Sequence, residues 1–160
     1  MPLLPARVKV QDVDTPEDFD PIVLQEPTRE GISVFGSLDA GSGSLITKIT
    51  ESYNAPTFME FLTGIPTGGK ETHFVLDNAK YHHATMIREF VEKYPDIILD
   101  FLPPYSPELN AIERVWKLIK KMGTHNRYFP SIGDIVYSLI EQFSTYGTPN
   151  DILKRLCAID

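Results

Sequence analysis

The chain is short of cysteine, tryptophan and positive charge, and it holds no long apolar run. Cys157 is its single cysteine, so no internal disulfide can form and a zinc site built on cysteines is not expected. No apolar stretch approaches the roughly 18 residues that a membrane-spanning helix requires. The N-terminus lacks the basic-then-apolar layout of a secretory signal, so the expectation is a cytoplasmic protein with no membrane partner. The formal net charge of -7 counts against nucleic acid as a partner, because phosphate binding needs a basic surface. What is present fits an ordinary soluble globular protein: 160 residues, 42% hydrophobic and 23% charged. No repeat or linker divides the chain, so residues 1–160 are expected to form a single domain.

The charge is unevenly spread. Residues 11–30 carry Asp12, Asp14, Glu17, Asp18, Asp20, Glu26 and Glu30 against Arg29 alone. Residues 111–127 reverse the sign, with Arg114, Lys117, Lys120, Lys121 and Arg127 against Glu113. A basic patch therefore lies within an acidic protein, which weakens the objection to nucleic acid.

Residues 1–30 are rich in proline and acids and read mostly as coil, with a short strand candidate at Arg7–Gln11, and residues 1–20 are atypical. Ile32–Leu38 and Leu45–Thr50 read as strands joined by the turn-rich Asp39-Ala-Gly-Ser-Gly-Ser44. Asn54 is placed to cap a helix over Ala55–Leu62, with Pro56 in its first turn, and Pro66–Gly69 reads as a turn. Thr72–Leu76 reads as a buried central strand and Ile97–Leu102 as the next one. Between them, Met86, Ile87, Phe90 and Val91 mark an amphipathic helix over Ala84–Lys93. A helix over Leu109–Met122 has the apolar stripe Ile112, Val115, Ile119 and Met122. Ser131–Phe143 and Pro149–Leu156 complete the helices. A hairpin followed by strand–helix alternation implies an α/β fold with a mixed sheet.

Two motifs carry chemistry. In His73-Phe-Val-Leu-Asp-Asn78, Asp77 ends a buried strand, where open α/β sheets place their ligands. The alternative for Asp77 and Asn78 is an ordinary turn or helix cap. In Leu102-Pro-Pro-Tyr-Ser-Pro-Glu-Leu-Asn110, three prolines in five residues make a stiff loop that leads into a helix carrying Glu113 in its first turn. Glu113 can be an acid favoured by the helix dipole. It can also be a metal ligand, since Lys117 and Lys120 follow on its face like a phosphate track. Two such carboxylates suit divalent ions, which are held by a few acids plus substrate phosphates.

Leu76-Asp-Asn78 with His82, followed by Leu102-Pro-Pro-Tyr-Ser-Pro-Glu-Leu-Asn-Ala-Ile-Glu-Arg-Val-Trp-Lys117, resembles the catalytic domain of DDE transposases. The likeness is to the insertion-sequence branch related to mariner elements. The 35 residues between Asp77 and Glu113 suit that branch, and Gln25–Arg29 and Ile32–Gly36 resemble the lead-in to its second strand. The likeness runs roughly from Pro21 to Lys121, and its Tyr-Ser-Pro-Glu-Leu-Asn block is highly specific. It implies a ribonuclease H-like mixed sheet flanked by helices, and Mg²⁺ or Mn²⁺ driving DNA strand cleavage and strand transfer. Asp77 and Glu113 would be the second and third metal-binding acids. Asn78, His82, Tyr105, Pro107 and Asn110 would shape the site, Lys117 and Lys120 would meet DNA, and Trp116 would pack the helix. The partners implied are transposon ends and target DNA, with a second transposase chain or a second copy of this one.

The chain departs from that pattern in places. Ala111 stands where the family has proline. The tryptophan- and glycine-containing segment between the first two strands is missing, as is the upstream helix-turn-helix. The family's first acid ends its first strand; here Asp12 precedes Gly36 by only 24 residues, and Asp39 falls in the hairpin turn. Either Asp12 serves as the first acid, or the chain begins after that strand as a catalytically inactive remnant that partners a complete transposase. A central strand cannot simply be missing without leaving unpaired edges on its two neighbours. Residues 7–11, or another chain, are therefore expected to fill the gap.

Overall fold

Local chemistry accounts for most of the elements. A computed structural model describes residues 32–123, 127 and 129–157, together with the backbone course of residues 3–9. Asp39 organises the first hairpin turn: its carboxylate accepts from the Gly41 N–H (2.8 Å) and the Ser42 hydroxyl (2.9 Å). The turn joins β2 (Ser33–Asp39) to β3 (Leu45–Thr50). Asn54 caps α1 (Ala55–Thr63) through a reciprocal capping box with Thr57, and Pro56 sits in the first turn.

The strand before β2 is β1 (Leu3–Lys9), antiparallel to β2 with Ala6 opposite Gly36. β4 (Thr72–Leu76) runs parallel to it, Phe74 facing Leu3, and β5 (Ile97–Phe101) continues the sheet in parallel beyond β4. The five strands are ordered β3-β2-β1-β4-β5, a mixed sheet. The expected gap is thus filled from within the chain. It is filled by Leu3–Lys9, four residues earlier at its start than the strand expected at Arg7–Gln11; Asp12 lies outside the described residues. Pro5 stands opposite Ser37 and has no N–H to give the ladder at that rung, an unusual place for proline inside a sheet.

Alternation along the strands divides the core in two. Phe35, Phe74, Leu76 and Ile97 point to the face covered by α1 and α2 (Thr85–Lys93), where Phe58, Phe61, Ile87 and Phe90 bury against them. Val34, Leu38 and Val75 point to the other face, covered by α3 (Ala111–Gly123), α4 (Ile132–Tyr146) and α5 (Asp151–Leu156). Ile112, Val115, Trp116 and Ile119 form the buried stripe of α3. Met122, expected in that stripe, is 57% exposed, whereas Trp116 is buried and packs the helix, as the resemblance implied. The helix begins at Ala111 rather than Leu109, because Pro107–Leu109 forms a separate turn of 3₁₀-helix. A second such turn, Lys80–His83, follows β4 and was not legible in the sequence.

Gly36 sets how closely α3 approaches the sheet. A Cβ built there would collide with the Trp116 ring and meet Ile112 at 3.0 Å. Gly36→Ala is therefore expected to destabilise the fold by about 1–3 kcal/mol, the usual range for overpacking. Trp116→Phe in the same chain should make room, so the double variant should lose less than the sum of the singles in denaturant melts. Additive losses would place the cost of Gly36→Ala elsewhere.

Candidate active site

The alternation that buries Val75 beneath α3 continues beyond β4 and brings Asp77 towards the α3 side of the sheet. Asp77 is held in place from behind. Its Oδ1 accepts the Ala79 N–H at 3.0 Å, and His82 Nδ1 lies 3.1 Å from Oδ1 and 3.0 Å from the Asp77 carbonyl oxygen. A carbonyl oxygen only accepts, so Nδ1 carries the proton. The His82 ring is buried, with the rings of Phe58 and Tyr81 each 4.4 Å away between centroids. This packing fixes the imidazole and, through it, the turn that bears the acid.

The proline loop supplies the opposite wall. The Leu102 N–H donates to the Leu76 carbonyl at 2.8 Å, prolonging the β4–β5 ladder by one bond. Asn78 Nδ2 donates to the Leu102 carbonyl at 2.5 Å and so ties the two strand ends together. On the far side of the loop, Arg114 reaches from α3 to the Glu108 carbonyl at 3.2 Å and the Leu156 carbonyl at 2.9 Å. Arg114 was not singled out from sequence; a cation next to Glu113 in the motif was the available signal.

Between these walls lies a cavity of about 160 Å³ bordered by Asp77, Asn78, Tyr105, Pro107, Asn110 and Glu113. Two motifs 35 residues apart thus meet at one place. Glu113 is half-buried. Burial pushes its carboxyl above the ordinary glutamate value, and the negative charge of Asp77 pushes it further; Lys120 and Lys117 act in the opposite sense. Lys117 and Lys120 are exposed and do not border the cavity. Asn110 is 2% exposed, and its Oδ1 has no hydrogen-bond partner among the described residues. Two carboxylates and a buried amide oxygen form an all-oxygen donor set, the kind Mg²⁺ and Mn²⁺ take.

No described residue supplies a third acid, and no cluster of three His, Cys, Asp or Glu fit for a metal occurs among them. Continuing the Leu3–Phe74 register by three residues brings Ala6 level with Asp77, on the rung already shared with Gly36. Leu3–Lys9 contains no acid. Asp39 is also level with Leu3, below Asp77 and two strands away, and its carboxylate is occupied in the hairpin turn.

The sequence profile of the DDE superfamily endonucleases matches residues 6–136. The chain belongs to that family. An uncharacterized protein of Sinorhizobium fredii, y4pE/y4sA, is 41% identical over 69 residues, which are 42% of this chain and 47% of that protein. The Tc3 transposase of Caenorhabditis elegans is 27% identical over 88 residues, 54% of this chain and 26% of that one. Crystal structures of the Mos1 mariner paired end complex with Mn and with Mg superpose with a TM-score of 0.67 at 19% and 16% identity. They cover 98% of this chain, which corresponds to 51% and 52% of theirs. The fold is accordingly the ribonuclease H-like one of DDE transposase catalytic domains. The chain spans less than half the length of the curated relatives it matches. Among the described residues, no helix is long and apolar enough to cross a membrane.

The raised Glu113 carboxyl gives a pH dependence of definite sign. The folded state keeps that proton to a higher pH than the unfolded chain, so folding is favoured by this group at low pH. Stability falls as pH rises from the ordinary glutamate range through the raised folded value. Without divalent metal, Glu113→Gln should remove this decline and melt above the parent at neutral pH. Parallel curves of melting temperature against pH would contradict it.

Proposed function

We propose that this chain is a transposase catalytic domain for metal-dependent DNA strand cleavage and strand transfer. The observation that carries the reading is the meeting of Asp77 and Glu113 at one cavity, close enough for one carboxylate to perturb the other. The Mn and Mg in the Mos1 complexes, and the place of those complexes among the structural neighbours, support divalent metal as cofactor and paired DNA ends as substrate.

In this reading Asp77 and Glu113 hold the metal, with the Asn110 amide oxygen beside them. Bound there, Mg²⁺ or Mn²⁺ supplies Lewis-acid stabilisation of the charge that develops in phosphoryl transfer. The protein's share is positional. His82 and Asn78 fix the Asp77 turn, the proline loop fixes the mouth of the cavity, and Lys117 and Lys120 draw the phosphate backbone along the exposed face of α3. The acidic repulsion that raises Glu113 is what a bound cation would relieve. Residues 1–160 act as one domain, with DNA and a second transposase chain or copy as partners, in the cytoplasm.

A second reading rests on Ala6. The rung level with Asp77 holds alanine where a third carboxylate would complete the set. If no other acid reaches the cavity, the chain binds metal and DNA but does not cut, and serves as an interaction or inhibitory partner of a complete transposase.

Nicking of supercoiled DNA in Mn²⁺ separates the two. The catalytic reading expects nicking by the parent that Asp77→Asn or Glu113→Gln abolishes; loss with Asp12→Asn as well would assign the third acid. A parent chain that binds DNA yet leaves it intact in both metals supports the partner reading. For the lysines, Lys117→Ala and Lys120→Ala should each lower the slope of log affinity against log salt by about 1 if each meets one phosphate.

A further inference from the structure

Among the described residues, Tyr105 is alone among non-glycine residues in having a left-handed backbone, with φ of 57°. Bulky side chains are outliers there, and glycine or asparagine would fit with less strain. Its side chain is also completely exposed, at 102% of the reference area. A ring that buries nothing cannot compensate for the conformation that displays it. Backbone strain held in this way accumulates at functional sites, where the surroundings impose it.

The surroundings do impose it. Pro103 and Pro104 precede Tyr105 and Pro107 follows, so the loop has few conformations to choose from. Asn78 Nδ2 anchors its start on Leu102, the Ser106 hydroxyl donates to the Pro104 carbonyl at 3.3 Å, and Arg114 holds the carbonyl of Glu108. The result is an exposed aromatic side chain, carried by a stiff loop, on the rim of the cavity that Asp77 and Glu113 share.

We infer that Tyr105 is a stacking platform for a nucleobase adjacent to the reacting phosphate. The inference rests on the DNA reading above and adds a base-binding subsite to it. The flat face suits a planar heterocycle, and its setting, on the rim of a cavity bordered by a carboxylate pair, suits a nucleotide whose phosphate is held through a cation. Base–aromatic stacking tolerates any sequence, because every base has a π-face, and a pre-stiffened loop loses little backbone freedom on contact.

Fluorescence anisotropy tests it, with a DNA duplex bearing a short single-stranded overhang and the same duplex with abasic residues in the overhang. Salt is held fixed in Mg²⁺ buffer. The parent should bind the base-bearing overhang roughly 5- to 100-fold more tightly than the abasic one. Tyr105→Phe should keep that preference. Tyr105→Asn should lose it while melting at the same temperature as the parent or higher, because asparagine accepts the left-handed backbone. A purely structural tyrosine would behave oppositely, with Tyr105→Asn melting lower and the preference intact, and that result overturns the inference. So does a parent that binds both duplexes equally. No binding to either duplex would remove the DNA reading itself, and the platform with it.

Discussion

Trp116 closes over Gly36, and the placement of the acids follows from that contact. With no Cβ at position 36, the indole and Ile112 lie directly on the backbone of β2, and α3 comes down onto the centre of the sheet. Glu113 follows Ile112 immediately, so the depth of the helix fixes how far its carboxylate stands from the end of β4. The contact lies in the core and carries no charge, yet it bears on how two acids from distant motifs meet at one cavity. Phosphoryl-transfer sites work mainly by position, and misplacement by about 1 Å can cost orders of magnitude in rate. A glycine and a tryptophan 80 residues apart are thus part of the site without touching its cavity.

The other acid is placed from the opposite face of the sheet. Asp77 is oriented by His82, and His82 is packed by Phe58 and Tyr81 in the core beneath α1 and α2. Each carboxylate is therefore positioned by a different hydrophobic cluster, and the two meet where the ordered strand ends. The electrostatics point the same way. Burial raises the Glu113 carboxyl first, and the like charge of Asp77, brought close by packing, raises it further. Lys117 and Lys120 reduce that repulsion from the exposed side and leave a carboxylate pair suited to a cation.

Much of this was legible because it rests on local chemistry. β3 and β4 fall where alternation and the turn residues put them, and α1 starts at the asparagine that caps it. The convergence of Asp77, Asn78, Tyr105, Asn110 and Glu113 on one cavity follows from strand ends and a proline loop, both readable as residues. Met122 was misplaced for a tertiary reason: helical spacing puts it in the stripe, but in the last turn of α3 the neighbouring Gly123 is the buried residue and Met122 is exposed. Arg114 was missed because its acceptors on Glu108 and Leu156 are backbone carbonyls, the second 42 residues away, and no side-chain pattern announces such bonds. The first strand was set too late because Arg-Val-Lys-Val-Gln alternates well, whereas Leu3–Ala6 contains a proline that argues against a central strand.

That strand also shows how far fold and chemistry can separate. The gap between β2 and β4 must be filled, because two rows of peptide groups would otherwise go unpaired, and this demand concerns backbone alone. Leu3–Lys9 meets it although Pro5 forfeits one donor. A third carboxylate would be a matter of a single side chain, and Leu3–Lys9 contains no acid. A sequence can satisfy the first requirement and not the second, because hydrogen bonding along the ladder is indifferent to what Ala6 carries. Completing the backbone ladder and presenting a carboxylate from it therefore depend on different atoms of the same strand.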